Sequence, residues 1–275
     1  MLRFSAPRDF DPRVYAEYLT VLPLAKYASE ATVWVCNPNA QFVIDGNTLY
    51  SMPELRILAT PSTGTNHIDL DACEKRGVKV LSLLNDRAGL ETISASAEFT
   101  FMLLLEQFKR PPRRELQGKK VGLVGYGRIG RKIDLYCDTF GATCFRNDPV
   151  TIKSVDIEKT FQTCDAVVVC CSLTDETRGM IKHEHIISMK PYAVLVNTAR
   201  GEVLDEDGLY AALIERPDIR FATDVVHGEV EGRGEESRQR LMELGASVTN
   251  HIAGETFESR TKAAKIILGL LRKEL

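Results

Sequence analysis

Apolar residues occur along this chain in short blocks, and the blocks alternate between two spacings. ATVWVC (31–36), LRILAT (55–60) and VKVLSL (78–83) are compact apolar runs of strand length, as expected of strands buried on both faces of a parallel sheet. Helix-like stretches lie between or before them, one of them over 69–75. After residue 120 the alternation becomes regular. VGLVG (121–125), ATCFRN (142–147), DAVVVCC (165–171), AVLVN (193–197), FATDVV (221–226) and ASVTN (246–250) read as strands, with helices over 128–140 and 205–215. Strands alternating with helices predict an α/β protein with a mainly parallel sheet. The later strand count is that of a doubly wound dinucleotide fold.

Between the two runs, ASAEFTFMLLLEQ (95–107) is long and apolar enough for a packed helix. FKRPPRREL (108–116) ends it, because neither Pro111 nor Pro112 can continue a helix interior. That segment reads as a linker to the second run of strands.

Size and charge narrow the picture. A chain of 275 residues suits one large domain or two modest ones. A formal net charge of -3 gives no basic excess for nucleic acid or an anionic membrane. The start, MLRFSAPRDFD, meets Pro and Asp too early for a secretory signal, and no apolar run is expected to reach the roughly 18 residues of a membrane span. Seven cysteines, at 36, 73, 137, 144, 164, 170 and 171, form no CxxC pair. Reduced thiols in a cytoplasmic protein are the simpler reading than disulfides or a zinc cage, and no metal site is expected. Cys170 and Cys171 are expected to be buried and inert.

The candidate chemistry begins at VGLVGYGRIG (121–130). Gly125-x-Gly127-x-x-Gly130 is a weak signal alone, but a strand precedes it and a helix pattern follows. The first glycine permits a tight turn, the second lets backbone approach a pyrophosphate, and the third lets helix pack on strand. The helix N-terminus then offers N–H groups and partial positive charge to phosphates. Asp148 ends the next strand, near the offset at which a carboxylate accepts from an adenosine ribose. Arg146 could favour a 2′-phosphate, but Asp148 would repel one, so NAD is preferred to NADP.

STGTNHIDLDACEKRGV (62–78), the glycine loop, LTDETRGMI (173–181), MKPYAVLVNTARGEVLDEDGL (189–209), ATDVVHGE (222–229) and NHIAGETFES (250–259) follow one another in order. Together they resemble the NAD-dependent D-2-hydroxyacid dehydrogenase family over nearly the whole chain. The resemblance implies a Rossmann cofactor domain over 85–256 and a smaller flavodoxin-like α/β substrate domain over 1–84 with 257–275, with a cleft between them. It places a substrate-binding arginine at Arg200, an acid–base histidine at His251 and its supporting glutamate at Glu229. Arg200 would hold the substrate carboxylate and carbonyl through its planar fork. His251 would give a proton to the carbonyl oxygen as hydride arrives, and Glu229 would orient the imidazole. The resemblance also assigns cofactor contacts to Arg128, Ile129, Thr198 and Asp224, and substrate contacts to backbone at Thr63 and Gly64. It implies a small 2-keto or 2-hydroxy acid as substrate.

Taken singly, each residue has a plainer reading. Arg200 could be a surface ion-pair partner and His251 an ordinary loop histidine. Glu229 lies in HGEVEGRGEE, a charged stretch that alone reads as a solvated loop and lacks the family's usual Glu-Pro. Glu231 is a substitute candidate, but the spacing from Asp224 favours Glu229. His67, His183, His185 and His227 are read as structural. The family usually carries a longer connection, including a tryptophan, where this chain has 108–117, and the only tryptophan here is Trp34. A homodimer is therefore possible but with a reduced interface. Two other functions compete: an NAD(H)-responsive binding protein on the same fold, which an intact Arg–Glu–His set disfavours, and another nucleotide-using enzyme such as a methyltransferase, in which NTARG and NHIAG would have no role.

Overall fold

Four short strands, β1 (Leu2–Phe4), β2 (Val33–Val35), β3 (Ile57–Ala59) and β4 (Lys79–Leu81), pair in parallel in that order in the computed structural model. The structure describes residues 1–4, 11–36 and 42–275, so part of the N-terminal stretch considered above lies outside the described residues. On the outer edge of β1 an isolated parallel bridge joins Leu2 to Leu24, with the Leu2 N–H donating to Pro23 at 2.9 Å and Ala25 to Leu2 at 2.8 Å. Counting that bridge as a strand gives the order 2-1-3-4-5 of a flavodoxin-like sheet.

Around this sheet lie α1 (Pro12–Val21), α2 (Gly46–Tyr50), α3 (Leu70–Lys75), α4 (Arg87–Glu91) and the C-terminal helix Phe257–Glu274. Asp11, Asp45, Asp69, Asp86 and Thr256 cap these helices by accepting from first-turn N–H groups. The C-terminal helix buries Ala263, Ala264, Ile267, Leu268 and Leu271 against Leu2, Val33, Val35 and Ile57. That spacing is a single helical face. The Tyr18 hydroxyl on α1 ties the helix down by donating to the Ala264 carbonyl at 2.6 Å.

This first unit comprises Met1–Ile93, Val230–Gly232 and Glu255–Leu275. It runs on past residue 84 because α4 packs on the C-terminal helix. A side chain at Gly89 would meet Ile266 at 2.8 Å, and Lys262 donates to the Thr92 carbonyl at 2.7 Å.

The second unit, Ser94–Glu229 with Arg233–Gly254, holds the longer pattern. Its elements are α5 (Ala95–Lys109), β5 (Lys120–Val124), α6 (Arg128–Thr139), β6 (Thr143–Asn147), α7 (Ile157–Thr163), β7 (Ala166–Val169), α8 (His183–Ile187), β8 (Val194–Asn197), α9 (Glu206–Glu215), β9 (Arg220–Thr223), α10 (Gly234–Glu243) and β10 (Ser247–Val248). All six strands are parallel, in the order β10-β9-β8-β7-β5-β6. Beyond β6 the segment Ser154–Val155 reaches across, with the Val155 N–H donating to the Arg146 carbonyl at 2.7 Å and Ser154 Oγ accepting from the Asp148 N–H at 3.0 Å, where a further strand of that half would run. Strand order reverses between β5 and β7, and in such sheets the ligand crevice opens at the carboxyl ends of the strands at that point. Gly125 follows β5, Asp148 follows β6, Cys170 follows β7, Thr198 follows β8, Asp224 follows β9 and His251 comes after β10.

Two sequence expectations change here. Within Arg87–Lys109 a window of 18 residues is apolar enough to cross a membrane by length and composition, contrary to the expectation that no run would be. The stretch is two helices, α4 and α5, broken at 92–94, and α5 buries Phe101, Leu104 and Phe108 against Leu123, Val168, Val196 and Ala222. Helix α5 is a core helix of the second unit. The second expectation concerns 108–116: this linker to the second run of strands is a turn packed within the second unit. Arg220 pins it, donating to the carbonyls of Gln107 at 2.6 Å and Pro112 at 2.7 Å.

Candidate active site

The glycine loop has the geometry its sequence requires. Gly125 has φ +96°, and a Cβ there would sit 2.6 Å from the Cys171 backbone. A Cβ on Gly130 would strike the Gly125 carbonyl, so helix α6 lies directly on the turn. Gly127 differs: nothing lies within 4 Å of where its Cβ would be. The protein itself makes no demand for glycine there, and the open space is what an approaching pyrophosphate needs. Gly127 is also the N-cap of α6 and provides no side-chain cap to its N-terminus, where Arg128 and Ile129 begin the helix. These features fit a dinucleotide.

Cys170 and Cys171 wall this loop and are half-buried, where full burial was expected. The Cys170 Sγ lies 3.1 Å from the Gly125 carbonyl. Burial pushes both thiols up, Cys171 to about 11, so both stay protonated and unreactive at neutral pH.

Asp148 does more than end a strand. One carboxylate oxygen accepts from the Tyr126 N–H inside the glycine loop at 2.7 Å, the other from Val150 N–H at 2.9 Å. The carboxylate is therefore fixed beside the loop, and each oxygen keeps a second lone pair for a ribose hydroxyl. Arg146 is engaged elsewhere, with Asp134 of α6 at 2.7 Å.

The second cluster forms at the ends of β8, β9 and β10. Asn197 shapes the turn after β8, accepting from Ala199 N–H at 3.0 Å and donating to the Arg200 carbonyl at 2.9 Å. A Cβ on Gly201 would collide with the Val226–His227 peptide. Only glycine lets the Arg200 turn cross so close to the loop that carries Glu229. Burial lowers the Arg200 pKa, and the carboxylates of Glu229 and then Glu202 oppose that shift. Its own Nη1 donates to the Ala199 carbonyl at 2.7 Å, fixing the fork.

His251 and Glu229 meet. The imidazole Nδ1 lies 2.7 Å from Glu229 Oε2, while Oε1 accepts from Val226 N–H at 3.1 Å. With Nδ1 held by the carboxylate, Nε2 is the nitrogen left to exchange a proton with a substrate. His251 has φ +55°, a left-handed conformation that is uncommon and strained for a residue with a Cβ. Asp224 holds that turn. Its buried carboxylate accepts from Thr249 Oγ1 at 2.6 Å, Ile252 N–H at 2.9 Å and Ala253 N–H at 2.8 Å, on both sides of His251. Such a buried carboxylate needs these donors, and they need it. Asp224, assigned from sequence to the cofactor, thus also clamps the histidine turn.

Three residues of this site carry no motif in the sequence. Thr100 of α5 bonds Thr198 hydroxyl to hydroxyl at 2.7 Å. Arg238 of α10 brings its guanidinium to 3.7 Å from Glu229 Oε1. Gly234, the first residue of α10, packs on Glu229, since a Cβ there would be 3.1 Å from its Cα and Cγ. The charged stretch after Glu229 is therefore not simply a solvated loop; much of it is a helix backing the carboxylate. Its buried face is Ser237 and Leu241, a signal too thin to read among so many charges.

Thr63 and Gly64 lie in the first unit, on the loop after β3, where Ser62 Oγ donates to the Gly64 carbonyl at 2.7 Å. The remaining histidines have local partners. His67 lies 3.3 Å from Thr60 Oγ1, His183 pairs with Glu215 at 3.0 Å, His185 accepts from Lys182 N–H at 3.0 Å, and His227 is 3.4 Å from Glu206. No group of metal-ligating side chains is found among the described residues.

Residues 92–253 match the family model described as "D-isomer specific 2-hydroxyacid dehydrogenase, NAD binding domain". Hydroxypyruvate reductase of Thermotoga maritima is 28% identical over 281 residues, covering 95% of this chain and 90% of that protein. An (S)-sulfolactate dehydrogenase of Chromohalobacter salexigens is 30% identical over 259 residues, 84% of this chain and 81% of that one. Among solved structures, D-lactate dehydrogenase from Aquifex aeolicus, complexed with NAD and lactic acid, superposes with a TM-score of 0.81 at 26% identity, over 99% of this chain and 94% of that one.

Proposed function

The chain belongs to the D-isomer specific 2-hydroxyacid dehydrogenases, and from that membership we propose that Arg200, Glu229 and His251 are the groups with which it interconverts a 2-keto acid and a D-2-hydroxy acid. It is an NAD-dependent oxidoreductase of small 2-hydroxy or 2-keto acids. The observation that carries the assignment is the 2.7 Å contact between His251 and Glu229, on a strained turn clamped by Asp224.

Bound NADH supplies the hydride. Arg200 holds the substrate carboxylate and draws electron density from the carbonyl, as a planar cation suits. His251, oriented by Glu229 through Nδ1, delivers a proton from Nε2 to the carbonyl oxygen, and the hydride and proton together make the hydroxyl-bearing carbon. In the reverse direction His251 takes the hydroxyl proton. The reading also assigns the Thr63–Gly64 backbone to the substrate carboxylate, and the Arg128–Ile129 N–H groups, Thr198 and Asp148 to the dinucleotide.

NADH is the coenzyme this site favours. Asp148 accepts from a ribose hydroxyl and repels an added phosphate. A screen of coenzyme oxidation across 2-keto acids, from glyoxylate and pyruvate to phosphorylated and aromatic ones, tests both statements. NADH should support turnover of at least one acid, with a kcat/KM well above that with NADPH. Turnover with none contradicts the activity, and equal or better use of NADPH contradicts the role of Asp148.

A further inference from the structure

Two residues before Asp148 a cation is tied to a carboxylate of α6, and we propose that Asp134 is a coenzyme-specificity residue that acts by sequestering Arg146. The inference rests on the reading in which Asp148 receives the adenosine ribose.

Arg146 and Asp148 are two positions apart at the end of β6, so their side chains leave on the same face. A guanidinium there is the usual device for accommodating a 2′-phosphate. In this chain it is bound three ways. Its Nε and Nη2 donate to Asp134 Oδ2 at 3.1 and 2.7 Å, and its Cζ lies 4.4 Å from the centre of the Tyr126 ring. The Tyr126 hydroxyl donates to the same Asp134 oxygen at 2.5 Å. Tyr126 is the middle residue of Gly125-Tyr126-Gly127, and its N–H is already fixed by Asp148. Glycine loop, ribose carboxylate and arginine are therefore one connected unit, with Asp134 of α6 as its anchor.

The carboxylate has two effects on a 2′-phosphate. It occupies the donors that would bind the phosphate, and it neutralises the charge that would attract it. Asp148 repels the phosphate directly; Asp134 removes the group that could offset the repulsion. With the carboxylate gone, Arg146 keeps its place on the Tyr126 ring, two residues before Asp148, but has donors to spend. The side chain is already partly exposed, at 38%, so no core need open for it to turn.

Fluorescence titration with NADH and with NADPH tests this on the parent, Asp134→Asn, Arg146→Ala and the double variant, with melting temperatures alongside. Asp134→Asn should narrow the Kd gap between NADPH and NADH by about ten-fold, the scale of one charge-assisted phosphate contact. The double variant should lose that gain. Arg146→Ala alone should bring no such gain, because in the parent the guanidinium is spent on Asp134.

An unmoved ratio in Asp134→Asn overturns the proposal. So does a gain that survives in the double variant, which would be a general charge effect. Should Asp134→Asn fail to fold, Asp134→Ser takes its place and is held to the same two results. A parent that binds NADPH as tightly as NADH defeats instead the reading of Asp148, so the two failures are distinguishable.

Discussion

Replacing His251 by Gln is expected to lower kcat for keto-acid reduction by about 10²–10⁴-fold, the range for a lost general acid, while NADH still binds. The glycine loop and Asp148 lie at the ends of β5 and β6, away from the β9 and β10 ends that hold His251. Coenzyme affinity should therefore be untouched. Because His251 sits at φ +55°, a companion His251→Asn variant separates chemistry from backbone strain, asparagine being more at ease in that conformation. Both variants should lose turnover to a similar degree. Steady-state kinetics with an NADH fluorescence titration checks the pair. A variant with full kcat would remove His251 from the mechanism, whatever the fold.

Arg200→Ala has the second large effect and a different signature. The side chain is assigned to both the resting carboxylate and the developing charge on the carbonyl oxygen, so KM should rise and kcat fall together. About 10³-fold in kcat/KM is the expected scale for losing two charge-assisted hydrogen bonds. The deletion also removes one of the cations that face Glu229, Arg238 being the other. Arg200→Lys keeps the charge but not the planar fork, and should recover little activity. A rise in KM with kcat intact would mean that Arg200 only anchors the substrate.

Much of this site is legible in the sequence because each motif residue answers to local backbone chemistry. Gly125 and Gly130 are glycines because a Cβ would strike neighbouring backbone, and Asp148 falls at a strand end. Apolar runs mark β5, β7 and β8 because central parallel strands bury both faces, whereas the edge strands β6 and β10 are only half-buried. What the sequence hides is what depends on contacts across the chain. Leu2–Phe4 is too short to read as a strand until Leu24 and β2 pair with it. Helix α10 looks like solvent-facing charge, yet Gly234 and Arg238 back Glu229. The family resemblance gives Asp224 a cofactor role, but its hold on both sides of His251 appears only when the ends of β9 and β10 lie side by side. Residues 108–116 look like a linker because prolines break the helix, and the grip of Arg220 on the Gln107 and Pro112 carbonyls has no sequence signal.

The most direct test of the account follows the hydride itself. NADH carrying deuterium at the transferable position of C4 is incubated with the parent protein and a 2-keto acid that it turns over, and the product is analysed for isotope position and configuration. The account predicts one deuterium at C2 of a D-2-hydroxy acid, formed at a rate that collapses in His251→Gln. A product without deuterium at C2, or one of L configuration, would contradict it.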